Sequence, residues 1–332
     1  MGGTNALGHT PRTMSETSYT TIAAYYDEVF PPRPGPSRLV LDLLGERAPD
    51  ATVVDVGCAT GGLLHGLGDH IGRGIGVDAD RELLRVARGH DHDLSLEFVR
   101  GDMAHLDDSP ALQVVEADAI TCFGNTLVHL TDEAELLAFL EWAEAHLAPG
   151  GFLAVQIVHY DRLLREGSTA LPAIDTPRVH FERALDFDAR PGLVEFRTEL
   201  TVKDTGDRRV NTTFLRPLRA RELVDLLHRA GFTRVDRFAG VPAAHRRFQG
   251  ASDDQISGQR RPARGDRTRD PVAFVAERDR FLADRIGSDH GRDCTGAQKR
   301  TRLSYGGRGN PRLLLDLYST LLERVSSCGR QT

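Results

Sequence analysis

A strand that ends in a glycine-bearing turn and opens directly into a helix constrains this chain more than any other feature. The run is Val53-Val54-Asp55-Val56-Gly57-Cys58-Ala59-Thr60-Gly61-Gly62. A strand feeding a helix in this way belongs to a sheet with helices laid against its faces, which fixes the fold class. Gly57 and Gly61 let the backbone approach a ligand closely and adopt angles that other residues avoid. The same turn presents N–H groups at a helix N-terminus. A dinucleotide site requires G-x-G-x-x-G so that bare backbone can meet a pyrophosphate, and here the second glycine of that fingerprint is missing. Taken alone, the turn fits any nucleoside-type ligand.

From Thr52 to about Tyr160 short β-branched runs alternate with helical patterns, as βαβ units do. Strands are expected at 52–56, 74–78, 96–99, 117–123 and 151–158, with helices at 62–69, 80–89 and 131–147. The last helix has an N-cap in Thr131 or Asp132, acidic residues in its first turn, and a stop at Pro149-Gly150-Gly151. Ahead of this core, 19–30 and 37–46 read as helices divided by the proline-rich stretch 31–36. After it, 177–188, 192–203 and 208–216 alternate apolar and polar residues around turns, as antiparallel strands do. A helix at 218–230 stopped by Gly231 and a strand at 232–238 follow. Residues 241–270 lack apolar content and period and read as a mobile loop or disorder. A last strand is expected within 271–278, and the tail 279–332 is irregular apart from an amphipathic helix at 311–324. The fold class is therefore α/β: a doubly wound, mostly parallel seven-stranded sheet with an antiparallel insertion at about 170–217. The organisation is a flexible arm 1–18, a main domain 19–240, the insertion 241–270, the closing strand and the tail.

Composition narrows the function classes. Residues 246–332 hold 18 basic and 11 acidic residues, whereas 1–245 hold 24 basic and 37 acidic ones. An acidic body is a poor surface for phosphate backbones, so no nucleic-acid partner is expected. No run of about eighteen apolar residues is present, and the polar start lacks the apolar stretch of a signal peptide, so a cytoplasmic location and no membrane partner are expected. The four cysteines, Cys58, Cys122, Cys294 and Cys328, share no ligand spacing, which argues against disulfides and against a metal site. Cys58 and Cys122 read as small buried hydrophobes.

Two further carboxylates sharpen the ligand. Asp78 closes the second strand, where a carboxylate can accept hydrogen bonds from both ribose hydroxyls. Asp102, in Arg100-Gly101-Asp102-Met103, lies just past the third, where a carboxylate with nearby N–H groups can read an adenine edge while Met103 packs on the ring. In this order and spacing, these pieces resemble the class I S-adenosylmethionine-dependent methyltransferases, over roughly 19–235 and again near 272–276. The resemblance implies a Rossmann-like fold and S-adenosyl-L-methionine as cofactor. It implies that Asp55 and Gly57 shape the pocket and hold the methionine end, that Asp78 binds ribose, and that Asp102 and Met103 frame adenine. Cys58, Gly61, Ala79 and Phe123 complete the implied cofactor set.

The segment after the fourth strand, Gly124-Asn125-Thr126 followed by His129, resembles the GNS-x-x-H stretch of glycine and glycine/sarcosine N-methyltransferases, as does Tyr160-Asp161 after the fifth. No Asn/Asp-Pro-Pro-aromatic run is present, which counts against a base-flipping methylase. The glycine enzymes place an arginine two residues before the Tyr-Asp pair to hold the substrate carboxylate. Val158 stands there instead and cannot pair a carboxylate. Arg178, Arg183 and Arg216 are the candidates to replace it. Methyl transfer is an in-line displacement that needs the nucleophile held in line and water excluded. Asn125 can orient an amine or hydroxyl, His129 can accept a proton, and Tyr26 belongs to the N-terminal helix that lids such sites in the family. The expected activity is methyl transfer to nitrogen or oxygen of a small molecule, by a protein that the resemblance allows to be a homo-oligomer. A catalytically silent S-adenosylmethionine-binding or regulatory protein is the alternative, and an NAD-dependent oxidoreductase is a more remote one.

Overall fold

The computed structural model describes residues 19–90, 95–113, 115–166, 170–239 and 272–278. The expectations for the arm 1–18, the insertion 241–270 and the tail 279–332 lie outside those residues. Each strand from β1 to β4 runs into a turn or helix that returns the chain to the same end of the sheet. The order is α1 (Tyr26–Val29), α2 (Pro34–Leu44), β1 (Thr52–Val56), α3 (Gly62–Leu67), β2 (Arg73–Asp78), α4 (Arg81–Gly89), β3 (Leu96–Arg100), β4 (Ala117–Cys122), α5 (Glu133–His146) and β5 (Leu147–Ile157). Then come α6 (Tyr160–Glu166), β6 (Ala170–Asp175), β7 (Val179–Arg190), β8 (Leu193–Val202), β9 (Arg208–Leu215), α7 (Ala220–Arg229), β10 (Arg234–Ala239) and β11 (Val272–Glu277).

Seven strands form one sheet in the order β10-β11-β5-β4-β1-β2-β3. β1 to β5 pair in parallel, and only β11 runs antiparallel to its neighbours β5 and β10. Both faces are covered, as a parallel sheet requires. Period-two alternation divides each strand between two cores. Val54, Val56, Ile120 and Val155 join the side chains of α5 and α7, while Val53, Ala119 and Ala154 join those of α2, α3 and α4. A second, antiparallel sheet has the order β6-β7-β8-β9. Among the described residues, no helix is long and apolar enough to cross a membrane.

Four local differences from the sequence reading have physical causes. The stretch 19–30 is a 3-10 turn over Thr20–Tyr25 followed by the single α turn α1, because clustered β-branched and aromatic residues lose rotamer freedom in a helix. α2 starts at Pro34, inside the proline-rich divider, since a proline at the first helical position is already set for helix and lacks only an N–H that would go unused. Pro149-Gly150-Gly151 lies within β5: pairing with β4 jumps from Ala117↔Leu147 to Ala119↔Phe152, so the three residues are absorbed as a bulge, with Gly150 at φ 76°. β6 is a fourth strand of the inserted sheet that its short run did not signal.

The antiparallel sheet forms a roof that the N-terminal segment joins to the main body. Ile22 and Val29 pack with Val179, Phe181, Leu200 and Val202, and Phe30 meets Phe181 edge-on with ring centroids 5.7 Å apart. Polar ties fix the other side of the segment. The Thr20 hydroxyl donates to Asp80 (2.6 Å), the Thr60 hydroxyl donates to Asp27 (2.5 Å), and Glu28 accepts from Thr176 and from Arg178 (2.7 Å). Phe181 is fully buried at this junction. Phe181→Ala is expected to cost about 3 kcal/mol in urea unfolding. It should also raise amide exchange in residues 20–29 well before exchange in β1, which native-state hydrogen exchange would resolve.

Candidate active site

The C-terminal ends of β4, β1, β2 and β3 stand side by side, and the residues singled out in the sequence line that edge. The glycine turn is held by its neighbour strand: the Gly57 and Cys58 N–H groups both donate to the Val77 carbonyl, at 2.7 and 3.0 Å. Gly57 has φ 76°, and a β-carbon on it would lie 2.3 Å from Thr126 Cγ2, so the β1 turn and the loop after β4 touch directly. Gly61, at φ 78°, starts α3 in the left-handed region. Ala59 is also left-handed at φ 49°, and the compensation is visible: its N–H donates to Asp78 Oδ2 at 2.8 Å.

Asp78 accepts a second N–H, from Asp80, at 2.8 Å. Burial nevertheless raises its pKa to about 6, because desolvation outweighs the two donors. Asp55 is more deeply enclosed. The Thr121 hydroxyl donates to it at 2.6 Å, yet burial pushes its pKa to about 7. Cys58 is buried with its thiol held well above the usual range, as expected of a small hydrophobe. The Ala79 carbonyl accepts from Arg100 (3.3 Å), and one Asp102 oxygen accepts the Ala104 N–H (3.0 Å). Met103 packs against the α5-side core and Phe123 against the opposite one, so each ring-framing candidate is also a core residue.

On the acceptor side, Asn125 sits at φ 69° with its side chain fully engaged in the scaffold. Its Oδ1 accepts the Val158 N–H (2.9 Å) and its Nδ2 donates to the buried Tyr160 hydroxyl (3.2 Å). This amide staples the end of β4 to the end of β5. His129 closes a 3-10 turn, and burial lowers its pKa to about 4, so the ring is neutral at physiological pH. Its ring lies edge-on to Tyr19, centroids 6.1 Å apart, and Tyr19 in turn lies 5.9 Å from Tyr26. The Tyr26 phenol feels the charges of Asp78 and Asp27 and is held well above its ordinary pKa, chiefly by burial. Both phenols thus lie near Asp78, and Tyr19 is the aromatic that faces His129.

Two of the three arginine candidates pair with carboxylates of the scaffold. Arg178 pairs with Glu28, and Arg216 with Glu222 (2.6 Å) and Glu133 (3.2 Å). Arg183 donates to the Pro172 carbonyl (3.0 Å) and lies 5.9 Å from the Phe181 ring centre. Sequence reasoning passed over Tyr19 and Thr121. A threonine between the buried apolar residues Ile120 and Cys122 is the one signal that marks Thr121; Tyr19 carries none. A cleft of about 590 Å³ opens beside α3 between Asp27, Thr60, His65 and His90, but none of the strand-end carboxylates lines it.

Comparisons with known proteins place the chain among methyltransferase-like sequences and folds. A protein-family profile described as a methyltransferase domain matches residues 53–151. The chain is 33% identical over 106 residues to a dTDP-3-amino-3,6-dideoxy-alpha-D-glucopyranose N,N-dimethyltransferase of Streptomyces fradiae, a match covering 32% of this chain and 39% of that protein. It is 32% identical over 100 residues to a cypemycin N-terminal methyltransferase of a Streptomyces species, covering 30% and 39% respectively. The match thus spans well under half the length of either curated relative. A solved S-adenosylmethionine-dependent methyltransferase from Clostridium acetobutylicum superposes with a TM-score of 0.60 at 16% identity, covering 79% of this chain and 100% of that one, which is a likeness of fold.

The raised Asp55 pKa makes stability depend on pH. A carboxyl that holds its proton more tightly when folded contributes stability that is complete below the unfolded pKa near 4. That stability is lost as pH rises through about 7. Asp55→Asn keeps a neutral acceptor for Thr121 and lacks this loss. The variant should therefore gain on the wild type by about 3 kcal/mol between pH 5 and pH 8 in ligand-free urea titrations. A pH-independent difference between the two would contradict this assignment.

Proposed function

The fold is that of a class I methyltransferase and residues 53–151 match a methyltransferase domain; on that premise we propose that this protein transfers a methyl group from S-adenosyl-L-methionine to an amine nitrogen of a small molecule. The observation that carries the proposal is the row of carboxylates, Asp55, Asp78 and Asp102, at the ends of adjacent parallel strands beside a left-handed glycine turn. Carboxylates are acceptors only, which suits a cofactor whose polar edges are an ammonium, two ribose hydroxyls and an amino group. When bound, S-adenosyl-L-methionine supplies a methyl group on a positively charged sulfur.

The chain's own residues bind, orient and exclude water. Asp55 and the Gly57–Gly61 turn hold the amino-acid end, with Cys58 as the wall between them. Asp78, with Ala79, takes the ribose hydroxyls. Asp102, Met103 and Phe123 bound the adenine. Tyr26 and Tyr19 close the pocket from the N-terminal segment. Asn125 acts through position: by tying Val158 and Tyr160 it fixes the rim on which the acceptor rests. His129 orients the acceptor amine as a neutral hydrogen-bonding ring, and the proton released after transfer passes to water.

The state of His129 favours nitrogen over oxygen. A ring held near pKa 4 is a weak base and cannot usefully deprotonate an alcohol. A neutral amine brings its own lone pair and needs only orientation and a route for a proton afterwards. Both curated relatives carry names of enzymes that methylate amino groups, which supports the same choice. A nucleotide-linked amino sugar or a peptide amine fits this reading. Cytoplasmic residence belongs to the same proposal, and the acidic balance of residues 1–245 supports excluding nucleic acid as acceptor.

Two variants test the proposal. Asp78→Asn is expected to weaken S-adenosylhomocysteine binding at least tenfold by calorimetry while moving the ligand-free melting temperature by only a few degrees. Undiminished affinity would refute it. His129→Ala should reduce kcat with an amine acceptor and leave the S-adenosylhomocysteine Kd unchanged. The wild-type rate should show no inflection from His129 between pH 6 and 8.

A further inference from the structure

A buried hydroxyl on β4 serves the acid at the end of β1. Strand register pairs Asp55 with Thr121, each one residue short of its strand's end. Val54, Val56, Ile120 and Cys122, which flank the pair along both strands, belong to the core on the α5 side. Alternation therefore turns Asp55 and Thr121 to the opposite face, where they are 4% and 0% exposed. The row they share continues through Gly76 of β2 and Ala154 of β5, neither of which has a polar side chain. A β-carbon on Gly76 would lie 2.9 Å from Cys58 Sγ, so a thiol covers the row on the β2 side of Asp55.

The Thr121 hydroxyl has one proton and two acceptors within reach. Its oxygen lies 2.6 Å from Asp55 Oδ1 and 3.4 Å from the Val54 carbonyl, so the proton goes to the carboxylate. Among the described residues no other group donates to the Asp55 side chain, and its Oδ2 accepts from none. A carboxylate can accept at both oxygens, so half of its capacity is unused. The ionisable groups that act on it are Asp78 from β2, Cys58 from the glycine turn and Cys122 from β4, all of them acids. The fold thus encloses a carboxyl with one neutral donor and no cation beside it.

We propose that Thr121 is a positioning residue for the cofactor's amino-acid end: its hydroxyl holds Oδ1 of Asp55 and leaves Oδ2 to receive the cofactor's ammonium. The ammonium brings the positive charge and the charge-assisted hydrogen bond that the protein itself withholds. Only the ionised carboxylate can pair with it. Burial raises the Asp55 pKa to about 7 even against the Thr121 donor, and the charge of Asp78 adds to the rise. A ligand with an ammonium therefore binds more tightly as pH climbs toward 7 and beyond, whereas one without it gains nothing from Asp55. Loss of the Thr121 donor raises the Asp55 pKa further, by about one unit, and moves that gain to higher pH.

The role given to Thr121 rests on the methyltransferase reading, and calorimetry on the full chain with two ligands separates their failures. S-adenosylhomocysteine carries the amino-acid end, and methylthioadenosine has the same nucleoside without it. Asp78, raised to about 6 mainly by burial, meets the ribose of both, so its titration cancels in the ratio of their affinities. In the wild type the preference for S-adenosylhomocysteine should grow about tenfold from pH 6 to pH 8 as Asp55 ionises. Thr121→Val should cut that preference about fivefold at pH 7, approach the wild type by pH 8.5, and leave methylthioadenosine affinity unchanged. Thr121→Ser, which restores the hydroxyl, should return the wild-type profile. A pH-independent preference in the wild type, or one profile shared by the wild type and Thr121→Val, would overturn the assignment. So would a serine variant as impaired as the valine one. Binding of neither ligand by the wild type would instead overturn the methyltransferase reading.

Discussion

The Asp78 carboxylate is the point on which the rest of the site depends. It receives the N–H of Ala59, which lets a non-glycine residue stay left-handed in the middle of the turn, and the N–H of Asp80. Asp80 then caps α4 by accepting from Glu82 and Leu83, and its other oxygen receives the Thr20 hydroxyl of the closing segment. Two neighbouring acids, Asp78 and Asp80, therefore link the glycine turn, the start of the next helix and the segment over the strand ends. Desolvation raises its pKa to about 6, so keeping it ionised at neutral pH costs free energy that these donors offset only in part. Such a group is poised to gain from further donors, and a ribose diol offers two.

The fold was legible because it is written in short-range signals. β-branched runs in Thr52–Val56 and Arg73–Asp78, the Asp80 and Asp132 caps and the glycine turn each have a local cause. The strand-end carboxylates were legible for the same reason, since alternation of strand and helix brings them to one edge. What failed locally failed where tertiary packing outvotes propensity. The stretch 19–30 has helical spacing, but its β-branched and aromatic residues disfavour a regular helix, and packing of Ile22 and Val29 onto the roof adds to the preference for the tighter 3-10 turn. The proline and glycines at 149–151 read as a stop, but pairing of β5 with β4 on both sides of them is worth more than a break.

Roles on the acceptor side were harder to read because they depend on contacts between distant segments. Asn125 has the residue type of an acceptor-orienting group. Only the three-dimensional arrangement reveals that both ends of its amide already serve Val158 and Tyr160. Tyr26 and Tyr19 could not be ranked from a sequence in which both are tyrosines of one aromatic stretch. Both phenols are buried and feel Asp78, and their other neighbours separate them: Tyr26 lies beside Asp27 and Cys58, Tyr19 against His129. The same holds for the arginines, which differ only in what stands opposite. Arg178 and Arg216 meet carboxylates and serve as structural clamps, and Arg183 donates to the Pro172 carbonyl.

This division has a physical logic. In the proposed function the cofactor contacts sit on the rigid strand ends, where a misplaced backbone would disturb two cores at once. The separate four-stranded sheet is joined to that body by a hydrophobic seam at Phe181 and by polar ties at Thr20, Asp27 and Glu28. Substitutions along β7, β8 and β9 can therefore be made without moving Asp55, Asp78 or the glycine turn. The seam imposes one limit. Side chains that alternate with Arg183 toward the lid, Val179 and Phe181, are fully buried, and so is Leu200 opposite Phe181. The face is not uniformly apolar, because Arg183, Thr198, Arg209, Asn211 and Thr213 share it with these buried side chains.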